Sequence, residues 1–277
     1  MIDPSNVDPN TVIGAGLMAL ASKDMLGRIL GPSADYVGGR IEGLVKKCDI
    51  NLGRIFQYAV RKLGPKINDP GAVNPRVLRH VWAEGAFIED ELAAEYFGGL
   101  LASARSPDGK DDRMLGHLGT VRDLSVYDLR LHFLTYSLMR SFFVGSNLWV
   151  ADSDQRAQMD IYIPLLAYMA AADVQGDWEP EQFAGASLFR LAERHLIGEF
   201  TVGSDGLLKY DSQIEVSGMV VFPSYLGAEL YLLAYGHRGE VGRQFVDPAL
   251  AMPSNMTMTI SEGSRPLRNR QQEPQES

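Results

Sequence analysis

The stretch PEQFAGASLFRLAERHLIGEFTV (Pro180–Val202), followed by EVSGMVVF (Glu215–Phe222), decides how the chain is read. Its first part reads as a helix. Its second part is β-branched and aromatic, and it recurs across a polar, glycine-containing segment, which is the pattern of a hairpin. The next run, PSYLGAELYLLAYG, returns to a short helix. Helix, hairpin and helix in that order resemble the second half of a winged-helix module.

Working back towards the N-terminus, the pattern is helical. Asn10 caps a helix through TVIGAGLMALASKDMLGRIL, ended by Gly31 and Pro32. A second helix follows Ser33 and stops at Gly64 and Pro65. Asn74 and Pro75 open a helix expected to reach about Ala104, and SPDGKDD is the next loop. LSVYDLRLHFLTYSLMRSFF carries a wide apolar surface, as a helix with more than one neighbour does. From about Asp152 a further segment carries Pro164, which is expected to kink or break it. The tail, ending SEGSRPLRNRQQEPQES, is polar and lacks aromatics, so disorder is expected there. The expected fold is mainly α: an N-terminal helical segment (1–31), a helical body (32–175), a small winged-helix-like α+β module (176–247) and a tail (248–277).

Composition narrows the function. The 277 residues are 45% hydrophobic and 22% charged, a balance that builds a sizeable core, and the net charge of −9 opposes non-specific attraction to phosphate backbones or anionic lipid. The one cysteine, Cys48, excludes an intramolecular disulfide and fits a small buried apolar residue in a reducing compartment. No basic residue precedes Lys23, so a secretory signal is not expected. The longest apolar stretches, Thr11–Ser22 and Ile161–Ala172, hold about twelve residues each, short of the ~20 of a membrane-spanning helix.

Several chemical motifs fail on context. Gly14, Gly16 and Ala19 match G-x-G-x-x-A, yet neither the strand before it nor the acidic strand after it is present, so close helix packing is the better reading. On one continuous helix, His80, Glu84, Glu91 and Glu95 would share a stripe, but only their i,i+4 pairs could meet at one metal ion. No nucleophile elbow, Walker lysine or catalytic histidine motif is found, and His80, His117, His132, His195 and His237 are scattered. The stretch therefore favours ion pairing: Glu84, Glu89, Asp90, Glu91, Glu95, Asp111 and Asp112 against Arg105, Arg113, Arg122 or Arg130. No cofactor, metal or catalytic residue is expected, and a non-enzymatic role is favoured. Arg190, Arg194, His195 and Lys209 are the groups a winged helix would turn to DNA. Between Trp178 and Gly239, however, four basic residues face eight acidic ones, and a protein partner outranks nucleic acid.

The segments LGPSADYVGGRIEGL, NLGRIFQYAVRKLG, VNPRVLRHVWAEGAFIEDELAAEYFGGLLASAR, DDR and LSVYDLRLHFLTYSLMRSFF together resemble the abortive-infection alpha family of bacterial proteins, over about Leu30 to Phe143. The later HLIGEF and YLGAELYLLAYG look like its C-terminal part. The resemblance implies a cytoplasmic bacterial protein of phage defence, and it supplies no catalytic residues. The leading expectation is an interaction or toxicity module that self-associates or binds a protein, with YFGGLLASA admitting a close helix. The alternative is a nucleic-acid-linked regulator acting through the C-terminal module. Membrane damage through TVIGAGLMALA ranks third.

Overall fold

A computed structural model describes residues 50–204, 216–239, 241–253 and 263–267, with Leu207, Ile214 and Met258. The expected N-terminal helix, the G-x-G-x-x-A motif, Cys48 and Lys209 lie outside the described residues. The chain is mainly helical, with one four-stranded antiparallel sheet in its C-terminal half. It divides into two compact units. Residues up to Asp123 together with Leu233–His237 form the first, and Leu124–Leu232 with Arg238 onward form the second.

The first unit contains α1 (Ile50–Leu63), α2 (Pro75–Gly85), α3 (Glu91–Ser103) and α4 (Met114–Asp123). Helix α1 is strongly amphipathic and buries Leu52, Ile55, Phe56, Ala59 and Leu63. Its C-terminus tightens into a 3-10 turn at Gly64–Asn68, with Pro65 supplying the stop. Asn74 caps α2 by accepting from the Arg76 amide, and Pro75 sits where no donor is needed. Here the sequence reading needs correction: Asn74 to Ala104 is two helices. Asp90 accepts from the Ala93 amide and starts α3 afresh, while Gly85 lets the Ile55 side chain press against α2 where a side chain would stand.

Helix α3 is buried from Leu92 to Ser103 apart from the partly covered Ala93, because its small residues admit neighbours on more than one side. A Cβ on Gly98 would lie 2.5 Å from Tyr58 Cβ, and one on Gly99 would lie 2.0 Å from the Ala234 carbonyl oxygen. One turn on, Ser103 Oγ donates to the Leu233 carbonyl at 3.1 Å. The close-packing surface in YFGGLLASA is thus occupied by helix α1 and residues 233–234 of the same chain.

The second unit is built on α5 (Val126–Phe143), which opens with a capping box: Ser125 accepts from the Asp128 amide, and Asp128 accepts from the Ser125 amide. After it come a short α6 (Ser153–Arg156), strand β1 (Ile161–Pro164), α7 (Leu165–Ala171), α8 (Pro180–Glu193), strands β2 (Phe200–Gly203) and β3 (Gly218–Val221), α9 (Tyr225–Ala234, whose last two residues pack in the first unit), α10 (Val241–Gln244) and strand β4 (Arg265–Pro266). The strand order is β2-β3-β1-β4, with Ile161 opposite Val221 and Phe200 opposite the same Val221 on the other side.

Two expectations change. Residues 161–164, read as part of a helix broken at Pro164, form a strand, because four apolar residues are too few for periodicity to separate helix from strand. Part of the tail, read as disordered, is the edge strand β4. Leu267 joins Tyr162, Leu207, Ile214 and Val220 in a buried cluster, and the Arg265 guanidinium lies 5.5 Å from the Tyr162 ring centre. The polar average of the tail conceals that one anchor.

Candidate functional site

The carboxylate-rich stretch resolves into separate structural roles. Glu95 is 3% exposed and forms an ion pair with Lys62, with Arg61 at 3.4 Å. Burial pulls the Lys62 ammonium below its ordinary range, and the Glu95 charge opposes that. Glu91 accepts from the Tyr58 hydroxyl at 2.9 Å; burial and then that carboxylate push the Tyr58 phenol up. Asp90 is a helix cap, and Glu89 offers its main-chain carbonyl to Arg54. Asp111 takes a forked contact from Arg113, at 2.7 Å for the outer bond, and Asp112 meets Arg76 at 2.5 Å. Arg105 donates to the main-chain carbonyls of Lys66, Ile67 and Asp69, tying down the 3-10 turn.

The buried acid therefore pairs with α1 cations in place of the arginines expected from sequence. The His80/Glu84/Glu91/Glu95 stripe also dissolves, because the chain breaks between α2 and α3. Glu91 and Glu95 pack on α1, while His80 and Glu84 line a different surface. Among the described residues no group of three His, Cys, Asp or Glu is placed to hold a metal ion.

In the second unit the buried histidine is structural. His132 is fully buried on α5, its Nε2–H donating to the Gly227 carbonyl at 3.1 Å, and burial lowers its pKa to about 3. It is a neutral imidazole at physiological pH, whose single N–H is held by that carbonyl. Tyr136 beside it donates to the Leu196 carbonyl at 2.8 Å and accepts from the Ser224 amide at 2.9 Å, which pins α9 to the end of α8.

Helix α8 occupies the place that a winged-helix module turns towards DNA, but its arginine is engaged elsewhere. Arg190 makes a forked contact with the buried Asp128, Nε to Oδ2 at 2.8 Å and Nη2 to Oδ1 at 2.8 Å. Burial works against ionisation of Asp128, and the hydrogen bonds from Arg190 and Ser125 overcome it, holding the carboxyl below its usual range. His195 ends the helix in a left-handed turn at φ 55. The exposed positions of α8 are Glu181, Gln182, Ala186, Phe189, Arg190 and Glu193.

The most distinctive surface of this unit is a cleft of about 380 Å³ where α7, the start of α8 and the foot of the hairpin converge. Leu166 follows Pro164 by two positions, so while Leu165 turns inward Leu166 points out, 75% exposed. Opposite stands Val216, 57% exposed just before β3. Its backbone is held because Tyr162 donates its hydroxyl to the Val216 carbonyl at 2.9 Å, across a glycine, Gly218, whose absent side chain makes room for the Tyr162 ring. Glu179 and Glu181 rim the same cleft at the first turn of α8, where the helix dipole favours carboxylates, and Ser217 Oγ donates to Glu181 Oε1 at 2.7 Å. The lining residues include no cation.

Sequence reasoning missed Leu166, Glu179, Glu181, Val216 and Ser217. The pairing of β1 with β3 brings Leu166 near Val216 and Ser217, and the packing of α8 on α7 and β2 adds Glu179 and Glu181. Compared with protein-family models, characterised proteins and solved structures, the chain matches none.

Proposed function

We propose that this chain is a non-enzymatic protein-interaction module, and that the Leu166/Val216 cleft of its second unit receives a segment of a partner protein that is both basic and apolar. One observation carries the reading: two large aliphatic side chains stand exposed in one cleft whose charged rim is wholly acidic. Exposed aliphatics grouped in a concavity mark binding surfaces, and two carboxylates on a rim whose lining holds no cation select lysine or arginine next to the docked side chain. The resemblance to abortive-infection alpha proteins supports a role for such a module in phage defence in a bacterial cytoplasm.

The test is a fluorescence-anisotropy titration of the full chain with a labelled lysine- and leucine-rich peptide, repeated with Leu166→Ser and with Glu179→Gln/Glu181→Gln. Weaker binding in both variants, the second losing its salt dependence, supports the reading. Equal binding by all three proteins refutes it. In cells, protection from phage lost in Leu166→Ser at unchanged protein level supports the link to defence.

A second reading, a nucleic-acid-linked regulator, is favoured by the element order of α5, β1, α7, α8 and the β2–β3 hairpin, with β1 beside β3. The commitment of Arg190 to Asp128, and the Glu181 and Glu193 carboxylates exposed on the same helix, weigh against it. Steeply salt-dependent binding of duplex DNA by the full chain would promote this reading over the first.

A further inference from the structure

We infer that the first unit carries a binding cleft for a sugar phosphate moiety, between α2 and α4. The cleft has a volume of about 550 Å³. Along α2, Arg76, Arg79, His80 and Ala83 follow one another at helical i, i+3, i+4, i+7 spacing and line it, and Arg122 of α4 adds a third guanidinium. The opposite stripe of α2, with Val77, Leu78 and Val81, is packed in the core, so this cationic stripe is the solvent-facing one.

The guanidiniums keep donors to spare. Arg76 holds Asp112 through Nη1 with a side chain 72% exposed, and Arg122 holds Asp123 through Nε at 2.8 Å with a side chain 45% exposed. Surface pairs of this kind are weak, and each arginine has five N–H groups, so a phosphate dianion competes well for both. Arg79 is exposed and meets no carboxylate within ion-pair distance among the described residues. His80 lines the same cleft, and its Nε2 is buried with no hydrogen-bond partner among the described residues, a polar atom that a bound group would satisfy.

The body of the ligand follows from the rest of the lining. Glu84 is the acidic residue of the cleft, one turn beyond His80 and two turns beyond Arg76, which places it about 6 Å and about 12 Å further along the helix axis. A carboxylate there repels a second phosphate and accepts from hydroxyl groups. Leu115 gives an apolar wall, and Gly119 leaves α4 open, since a Cβ on it meets nothing within 4 Å. A phosphate at the arginines with a hydroxyl-bearing body reaching Glu84 is the chemistry of a sugar phosphate, free or as part of a nucleotide.

Isothermal titration of the full chain with ribose 5-phosphate, ADP, inorganic phosphate and ribose tests this. Saturable binding of ribose 5-phosphate or ADP, at least about tenfold tighter than ribose or inorganic phosphate, is expected, and which of the two binds tighter separates the free sugar phosphate from the nucleotide. Arg79→Ala should weaken binding about tenfold or more, and Gly119→Leu, which fills the cleft without touching a charge, should abolish it. Glu84→Gln should weaken the sugar phosphate while sparing inorganic phosphate. No saturation up to about 10 mM, inorganic phosphate bound as tightly as the sugar phosphates, or unchanged affinity in folded Arg79→Ala or Gly119→Leu each overturns the assignment.

Discussion

Replacing Gly99 by alanine tests whether YFGGLLASA is an internal packing surface. The added Cβ would lie 2.0 Å from the Ala234 carbonyl oxygen, 2.3 Å from its carbon and 2.6 Å from its Cα. An ordinary carbon–oxygen contact is above about 3 Å, so one helix must move by about 1 Å. The obstacle is main chain and has no rotamer to change. Moving it also strains the Ser103 to Leu233 hydrogen bond, 3.1 Å long and one turn away. Overpacking costs about 1–3 kcal/mol and the weakened hydrogen bond about 1, against a gain of about 1 from removing a mid-helix glycine. A net loss of about 1–3 kcal/mol is expected, a shift of the urea midpoint by about 1 M.

Gly116→Ala is the matched control, because its Cβ meets nothing within 4 Å on α4 and helix propensity alone predicts a gain of up to about 1 kcal/mol. Urea unfolding should be followed by far-ultraviolet circular dichroism and by the fluorescence of Trp82, which packs edge-on to Phe56 in the same unit. Opposite signs for the two substitutions support the packing argument. A Gly99→Ala protein as stable as wild type, or more so, refutes it and returns that surface to the list of candidate docking faces.

Further outcomes follow from the buried charges. Glu95→Gln leaves the Lys62 ammonium buried without its counter-charge, at a side-chain exposure of 2%, and should cost about 3–5 kcal/mol; Lys62→Met/Glu95→Leu should recover most of it in a double-mutant cycle of denaturation midpoints. His132, with a folded pKa near 3 against 6.5 unfolded, binds its proton in the unfolded state first. Stability should therefore fall as pH drops from 6.5 towards 3, by roughly 1 kcal/mol per pH unit, and nitrogen NMR should show a neutral Nε2–H imidazole at pH 5. A His132→Asn protein that keeps the same pH slope would refute that attribution.

How much was legible in the sequence depended on how far apart the cooperating residues lie. Asn74–Pro75 set a helix start and Gly64–Pro65 set a stop, because each signal involves groups within three or four positions. Strands β2 and β3 were visible because each is a short β-type run on either side of a polar, glycine-containing segment. The start of α3 at Asp90 was hidden, since the apolar residues around it continue the helical pattern and only the cap geometry ends it. The carboxylate segment was recognised as charged and helical, and Glu84 does act on Arg122, yet the partner of Glu95 was not foreseen: it meets Lys62, which is 33 positions earlier.

The sequence by itself determined that this is a mainly helical chain with a small α+β part, with acidic balance and with helices bounded where local chemistry bounds them. Only the tertiary structure decided that Ile161–Pro164 is a strand, that Leu267 anchors the tail to it, that Arg190 is spent on Asp128, and that Leu166 and Val216 share one acid-rimmed cleft. The physical reason is the same each time. Strand pairing, ion-pair choice and exposure depend on which distant segments meet, and that is settled by the burial of whole faces, a sum over contacts that no local pattern records.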